Sequence, residues 1–345
     1  MKRLILAAVA ACAMVAVAAP VSVEAWGNTG HRLIGMAAAR GLPDDVPAFL
    51  RTPAAAAEIG ELAREPDRWK GAGQPHDRER DTAHFVDMDD NGHIMSAAGP
   101  SIDALPNLKS EYDAALIAAG LDVNDAGYLP YAMLDGWQQL VRDFAYWRVL
   151  TAQAGREVDP AKRAWYLQDL QRREALILRD AGVLAHYVGD GSQPHHTTIH
   201  YNGWDRNTPN PDAFTTSRQT HGNFEGAFTG RVARMETIEA GMTAFDPNAD
   251  IKPRIAAYLR TTLGQVRPFY ELEKSGAFVV DSADAAAPGG RFVNARLSAG
   301  ASELRDLITL AWRGSASVSI GWPAVKVAEV EAGTADPWLA MYGED

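Results

Sequence analysis

The chain has 345 residues, of which 47% are apolar, 33 are Lys or Arg and 44 are Asp or Glu, for a formal net charge of −11. That length supports one large or two modest domains with a real core. The acidic balance argues against a protein that wraps duplex DNA, because such affinity comes from Lys and Arg displacing counterions; it leaves room for a small pocket in which bound metal supplies the positive charge.

The first predicted element is a leader. Residues 1–25 open with Lys2 and Arg3, continue with an apolar run from Leu4 to Ala19, and place Val23 and Ala25 at the small-residue positions of a signal-peptidase site. The run is shorter than the ~20 residues of a spanning helix, so the reading is an exported chain, periplasmic or extracellular, cut after Ala25. Val9 to Cys12 loosely resembles a lipobox, but diacylation there would leave Trp26 inside the chain. Cleavage takes the net charge from −11 to −12 and removes Cys12, the only cysteine, so the exported chain would carry neither disulfide nor thiolate ligand. It would begin WGNTGH. A deprotonated α-amino group, whose pKa is about 8, can chelate a metal together with its own carbonyl oxygen, which makes Trp26 and the nearby His31 candidate ligands.

Beyond the leader, apolar residues recur at helical spacing over 30–41, 44–64, 106–120, 130–153, 160–188, 221–245, 251–272 and 295–313. No alternating run is long enough to build a sheet, and no fixed-period repeat is present. The expectation is a single all-α, multi-helix domain over 26–345, least regular at 70–82, 197–219 and 276–290.

Three clusters in that pattern carry chemistry. Asp67 closes a helix in EPDRWK, and His84 follows a charged loop and opens an extended HFVD segment with Phe85 and Asp87. HYVGDGSQPHH, residues 186–196, puts His186 and Asp190 four residues apart on one helix face, with His196 after a Gly-Ser-Gln-Pro turn. His221 and Glu225 in THGNFEGAF repeat the four-residue step. Imidazole and carboxylate at this spacing suit zinc, with ligands at about 2.0–2.2 Å. One His-x3-acid pair is more often a core histidine beside a solvated or capping carboxylate; two in one chain shift the balance.

Together, Trp26 at a new N-terminus, WGxxGH, Asp67, HFVD, HYxGDxxQPxH and the final His-x3-acid resemble the trinuclear zinc phosphodiesterases, the mung-bean-type single-strand nucleases and the bacterial zinc-dependent phospholipases C. The resemblance spans roughly residues 26–230, and all nine ligand positions find a residue in order. It implies the all-α fold of that superfamily and three zinc ions. One would be held by Asp67, His84, His186 and Asp190, and a second by His196, His221 and Glu225. The third would take the amino nitrogen and carbonyl oxygen of Trp26, His31 and the other oxygen of Asp190. His195 falls one residue off the step from Asp190 and is left out; His76, His93 and His200 match no ligand position.

The resemblance further implies metal-assisted hydrolysis of a phosphodiester, with Asp87 beside the attacking water or the substrate base and Phe85 stacking a nucleobase. The nucleases carry Arg three residues after the Asp67 position, where this chain has Lys70, with Arg68 nearby as a second candidate cation. They usually end their ligand set with Asp; Glu225 is the phospholipase choice. The five-residue step from Trp26 to His31 is the nuclease pattern, but loop 197–219 lacks the nucleases' Gly-Gly-Asn stretch. The expected function is an exported zinc nuclease acting on single-stranded nucleic acid, with 3'-nucleotidase activity as a further option. The alternative is a zinc phospholipase C acting on phospholipid head groups, which expects an apolar rim for lipid tails; the sequence does not reveal whether Trp204, Phe214 and Phe224 form one. A purely structural or storage role for zinc is the weaker reading, since closed structural shells are commonly thiolate-rich. No stable protein partner is inferred, and a monomer is expected.

Overall fold

The computed structural model describes residues 26–343, so the leader reading and Cys12 lie outside the described residues. The first eight helices are α1 (Gly27–Arg40), α2 (Pro53–Leu62), α3 (Glu65–Arg68), α4 (His76–Asp81), α5 (Lys109–Ala118), α6 (Val123–Ala126), α7 (Leu129–Arg156) and α8 (Pro160–Ser192). The remaining eight are α9 (Thr220–Gly222), α10 (Thr229–Val232), α11 (Met235–Ala240), α12 (Ile251–Leu263), α13 (Val266–Lys274), α14 (Pro288–Gly314), α15 (Val327–Glu331) and α16 (Trp338–Tyr342). The fold is all-α. None of these helices is long and apolar enough to cross a membrane.

The long pair α7 and α8 frames the molecule. Asp159 caps α8 by accepting from the Ala161 amide at 2.8 Å, and Pro160 supplies a first helical residue whose missing N–H costs nothing there. The first half of α8 runs largely along the surface. From Asp180 to Ser192 it is almost wholly buried, and this half carries His186 and Asp190. There it meets α1, α2 and α14 in the main core, where Ile34, Ile59, Leu184, Val188, Leu297 and Leu304 are all buried. The crossing of α1 and α2 needs two glycines. A Cβ on Gly35 would sit 3.1 Å from the Gly60 Cα, and one on Gly60 would sit 2.9 Å from the Arg32 carbonyl oxygen.

Several element boundaries depart from the periodicity. The helix expected over 44–64 starts only at Pro53, after a 3-10 turn at Ala48–Arg51. Thr52, standing before a proline, is held extended at φ −81°, ψ 151°, and caps the restarted helix through its hydroxyl. The stretch 221–245 is not one helix: α9 runs into a π-helical turn at Asn223–Phe228, then α10, and α11 starts afresh at Met235. The stretch 251–272 breaks at Gly264 into α12 and α13. His84 closes a 3-10 turn, Thr82–His84, and the chain becomes extended only at Phe85. A small antiparallel hairpin, β1 (Ser319–Ile320) with β2 (Val325–Lys326), also forms; with α15 it lays Ile320, Val327 and Val330 on Ala145 and Val149 of α7.

Candidate metal centre

The buried end of α8 presents His186 and Asp190 from successive turns, both wholly inaccessible to solvent. Three other segments converge on them. α1 brings His31, whose ring stacks on that of His186 with centroids 4.0 Å apart. α3 brings Asp67, and the turn after α4 brings His84, whose Nδ1 lies 2.9 Å from His186 Nε2. Asp190 is shared between them: Oδ2 stands 3.2 Å from His84 Nδ1 and 3.3 Å from His186 Nε2, while Oδ1 faces His31 Nε2 at 3.4 Å. Asp67 Oδ1 completes this side, 3.9 Å from His84 Nδ1 and 4.0 Å from His186 Nε2.

A second focus lies past the C-terminus of α8. The Nε2 atoms of His196 and His221 are 3.2 Å apart, and Glu225 Oε1 stands 3.1 Å from the first and 2.6 Å from the second. Glu225 lies within the π-helical turn that follows α9, a widened backbone of the sort found at functional sites.

Three groups of residues could therefore hold metal ions: His31, His186 and Asp190; Asp67, His84 and His186; and His196, His221 and Glu225, with the donor atoms of each group within 4.8 Å of one another. The donors suit a cation. Both ring nitrogens of His31, both oxygens of Asp190 and Oε2 of Glu225 are buried with no hydrogen bond among the described residues, and Asp67 Oδ1 meets only the Lys70 ammonium, an arrangement costly for a site that binds nothing. Two rings are locked in the matching tautomer: Nδ1 of His186 meets the Ala63 carbonyl at 2.8 Å and Nδ1 of His196 the His84 carbonyl at 2.7 Å, which turns each Nε2 towards the shared space.

Electrostatics follow from burial. It lowers His186 to about 3, and it lowers His31, His84 and His221 as well, so these rings stand neutral and ready to ligate. His196 differs: burial opposes its charge, but Asp190 and Glu225 outweigh it and raise it to about 9. For Glu225, burial is outweighed by His221 and His196, which hold the carboxyl below its usual range. Asp190 is pushed well up by burial.

The remaining sequence candidates sit as follows. Trp26 is buried, and its indole N–H points to the Gly189 carbonyl at 2.8 Å and the Ser192 hydroxyl at 2.9 Å, pinning the start of α1 to the last turn of α8. Its peptide nitrogen joins a residue outside the described range. Lys70 Nζ lies 3.1 Å from Asp67 Oδ1 and 3.3 Å from Asp81; burial opposes the ammonium, yet these carboxylates raise its pKa. Arg68 turns instead to Glu65 at 2.7 Å and joins none of the three groups. Asp87 is buried with Oδ1 unpartnered among the described residues, and burial pushes its carboxyl well up. Phe85 is half-buried, its carbonyl held by the Leu129 amide.

His195 is buried beside His221, with its ring 4.3 Å from that of Phe269, and belongs to none of the three groups. His76, His93 and His200 pair with Asp77, Asp89 and Asp90. Gln193 went without a role in the sequence although it stands inside QPxH. Its side-chain amide donates to Glu225 Oε1, and its oxygen accepts from the His195 amide at 2.6 Å, so it fixes a ligand from behind. Trp204, Phe214 and Phe224 are all buried and form no rim.

No protein-family model, curated protein or solved structure matches this chain.

Proposed function

We propose that this centre holds three zinc ions and that the chain is an exported zinc phosphodiesterase, best read as a nuclease of single-stranded DNA or RNA, with 3'-nucleotidase activity as a further option. The observation that carries the reading is the sharing of Asp190, whose two oxygens face His31 on one side and His84 with His186 on the other. A carboxylate placed between two donor sets is what adjacent metals need, and a thiol-free shell of imidazole and carboxylate suits zinc with positions left for water.

Asp67, His84, His186 and Asp190 would hold one ion, and His196, His221 and Glu225 a second. His31 and the second oxygen of Asp190 would hold a third, together with the amine and carbonyl of a Trp26 freed by cleavage after Ala25. Bound zinc supplies positive charge to the phosphate oxygens and makes water a source of hydroxide near neutral pH. Around it the chain's own groups do the rest. Asp87 would orient the substrate or the attacking water, and Lys70 would add a fixed cation beside Asp67, though as a point charge without the fork of an arginine. Phe85 offers a half-exposed ring for a base. Arg68, paired with Glu65, is left without a role.

The second reading, a zinc phospholipase C, has one feature in its favour, Glu225 within FEGAF. Trp204, Phe214 and Phe224 are buried and do not supply the apolar rim it expects. The test is a chain of residues 26–345 with a free Trp26 terminus, analysed for zinc and assayed on single-stranded DNA and phosphatidylcholine side by side. The expected outcome is about three zinc per chain and strand cleavage. A folded chain that retains no zinc overturns the reading, and lipid hydrolysis alone moves the chain to the phospholipases.

A further inference from the structure

Beside the ligand Asp67, the half-buried Trp69 carries two guanidinium groups over its ring, Arg80 at 5.5 Å and Arg179 at 5.9 Å from the centroid. Both fall within the ~6 Å reach of a cation–π contact. On α3, α4 and the loop between them, Arg68, Lys70 and Arg78 each face a carboxylate, whereas Arg80 is exposed and meets none among the described residues. Trp69 follows Asp67 by two residues and Arg80 precedes His84 by four, so the pair borders the metal centre.

A similar pairing borders the other ligand group. Tyr201, 42% exposed, has the Arg218 guanidinium 6.0 Å from its ring centroid, and the next residue, Asn202, accepts from the His221 amide at 3.4 Å. In a chain of net charge −11, both Arg80 and Arg218 lie against an aromatic ring next to a ligand group and meet no carboxylate among the described residues. A ring that can stack on a base beside a cation that can meet a phosphate is the combination that grips single strands without reading their sequence. It is a poor match for a choline head group, which brings a cation of its own to the arginines.

We propose that Trp69 with Arg80, and Tyr201 with Arg218, are nucleotide subsites bordering the metal centre, so that the substrate is a polynucleotide strand extending past the reacting phosphate on both sides. This rests on the phosphodiesterase reading for what happens at the centre, but the grip itself is a separate property of the surface. Arg179, 5.9 Å from the Trp69 ring centroid, is already paired with Asp180 at 2.5 Å.

The test is binding of a fluorescent single-stranded phosphorothioate octanucleotide to the zinc-loaded chain, read by anisotropy over a salt series. Arg80→Glu and Arg218→Glu should each weaken binding about tenfold and flatten the salt dependence by about one ion. Lys326→Glu makes the same charge change on the distant hairpin and should move binding less than twofold. Trp69→Ala should weaken binding, with Trp69→Phe restoring most of it. Unchanged binding in both arginine variants overturns the subsites, as does a wild-type chain that ignores the oligonucleotide and hydrolyses phosphatidylcholine vesicles. Hydrolysis of bis(4-nitrophenyl) phosphate separates the two claims. Arginine-dependent binding without any diester cleavage keeps the subsites and removes the phosphodiesterase reading, whereas cleavage with arginine-independent binding does the reverse.

Discussion

The indole nitrogen of Trp26 lies 2.8 Å from the carbonyl oxygen of Gly189, the residue immediately before Asp190, whose two oxygens face different candidate donor groups. The start of α1 is thereby tied to the helix turn on which the metal centre is built, and the same N–H also meets the Ser192 hydroxyl at 2.9 Å. Replacing Trp26 with Phe keeps an aromatic ring in the core but removes the donor. The expected result is a loss of about 1 kcal/mol in urea unfolding, with weaker binding of one metal equivalent in three. Full stability and full metal content in Trp26→Phe would reduce the indole to a space-filler.

Asp190 is buried with both oxygens unpartnered, and burial raises its pKa, so at neutral pH the ionised carboxylate is penalised in the metal-free chain. Asp190→Asn removes that penalty together with the bridge. The metal-free variant should be more stable than the metal-free wild type by ~1–3 kcal/mol, while zinc should stabilise it less. Thermal melts with chelator and with excess zinc give both numbers. If the two proteins keep the same order in both conditions, Asp190 is not a shared ligand.

Gly189 sets how closely α8 approaches α1. A Cβ at that position would lie 2.8 Å from His31 Nδ1, nearer than real side chains approach. Gly189→Ala should push His31 from its place against His186, at a loss of about 1–3 kcal/mol and with reduced metal content. Wild-type zinc stoichiometry in this variant would mean that α1 shifts freely and that His31 is not held for ligation.

A titration away from the metal centre links α7 to α8. Asp180 is pushed up to about 6, first by burial and then by Asp143, with Arg179 acting the other way. Asp143 is buried too and carries the Arg173 pair at 2.6 Å and the Gln139 amide at 3.1 Å. With the unfolded value near 3.9, the folded state binds the extra proton between about pH 4 and 6. Its contribution is therefore fully present below pH 4 and is lost as the pH rises through 6. Asp180→Asn should match the wild type at pH 4 and exceed it by about 1 kcal/mol at pH 7. A wild-type-minus-variant difference in urea stability that stays flat over that range would contradict the assignment.

The sequence carried the helices with a sustained apolar period, because α7 and α14 bury apolar residues along much of their length and α8 does so from Ile177 onward. It could not carry the π-helical turn at Asn223–Phe228: the four-residue step from His221 to Glu225 reads as ordinary helix, and the widening depends on what the segment packs against. The restart at Pro53 was legible in Thr52-Pro53, whose backbone restriction outranks the apolar period running through 44–64. At the centre, the donor types and their order were visible in the motifs, but their convergence depends on long-range packing of α1, α3 and α8. The groups behind the ligands were the least visible. Nothing in the sequence says that the Ala63 carbonyl faces His186 or that Trp26 reaches Gly189, since backbone acceptors leave no trace in residue identity.

Gln193 is the side chain in which this difference can be measured. Its amide donates to Glu225 Oε1 while its own oxygen accepts from the His195 amide, so the group is clamped at both ends and cannot rotate without losing one bond. The oxygen it bonds, Oε1, is the one that faces His196 and His221, so Gln193 fixes the carboxylate in the second donor group, while Oε2 is buried without a partner among the described residues. Gln193→Leu keeps the bulk and removes both bonds, leaving Glu225 to be oriented by His196 and His221 alone. Loss of such an outer partner lowers metal affinity by about 10–100-fold. If the proposed three-metal centre holds, the effect should fall on the site of His196, His221 and Glu225 alone and should appear as a single weakened phase in competition with a chelating dye. Equal weakening of all three phases would point to general loosening of the α8 terminus, and unchanged affinity would leave Gln193 as a packing residue.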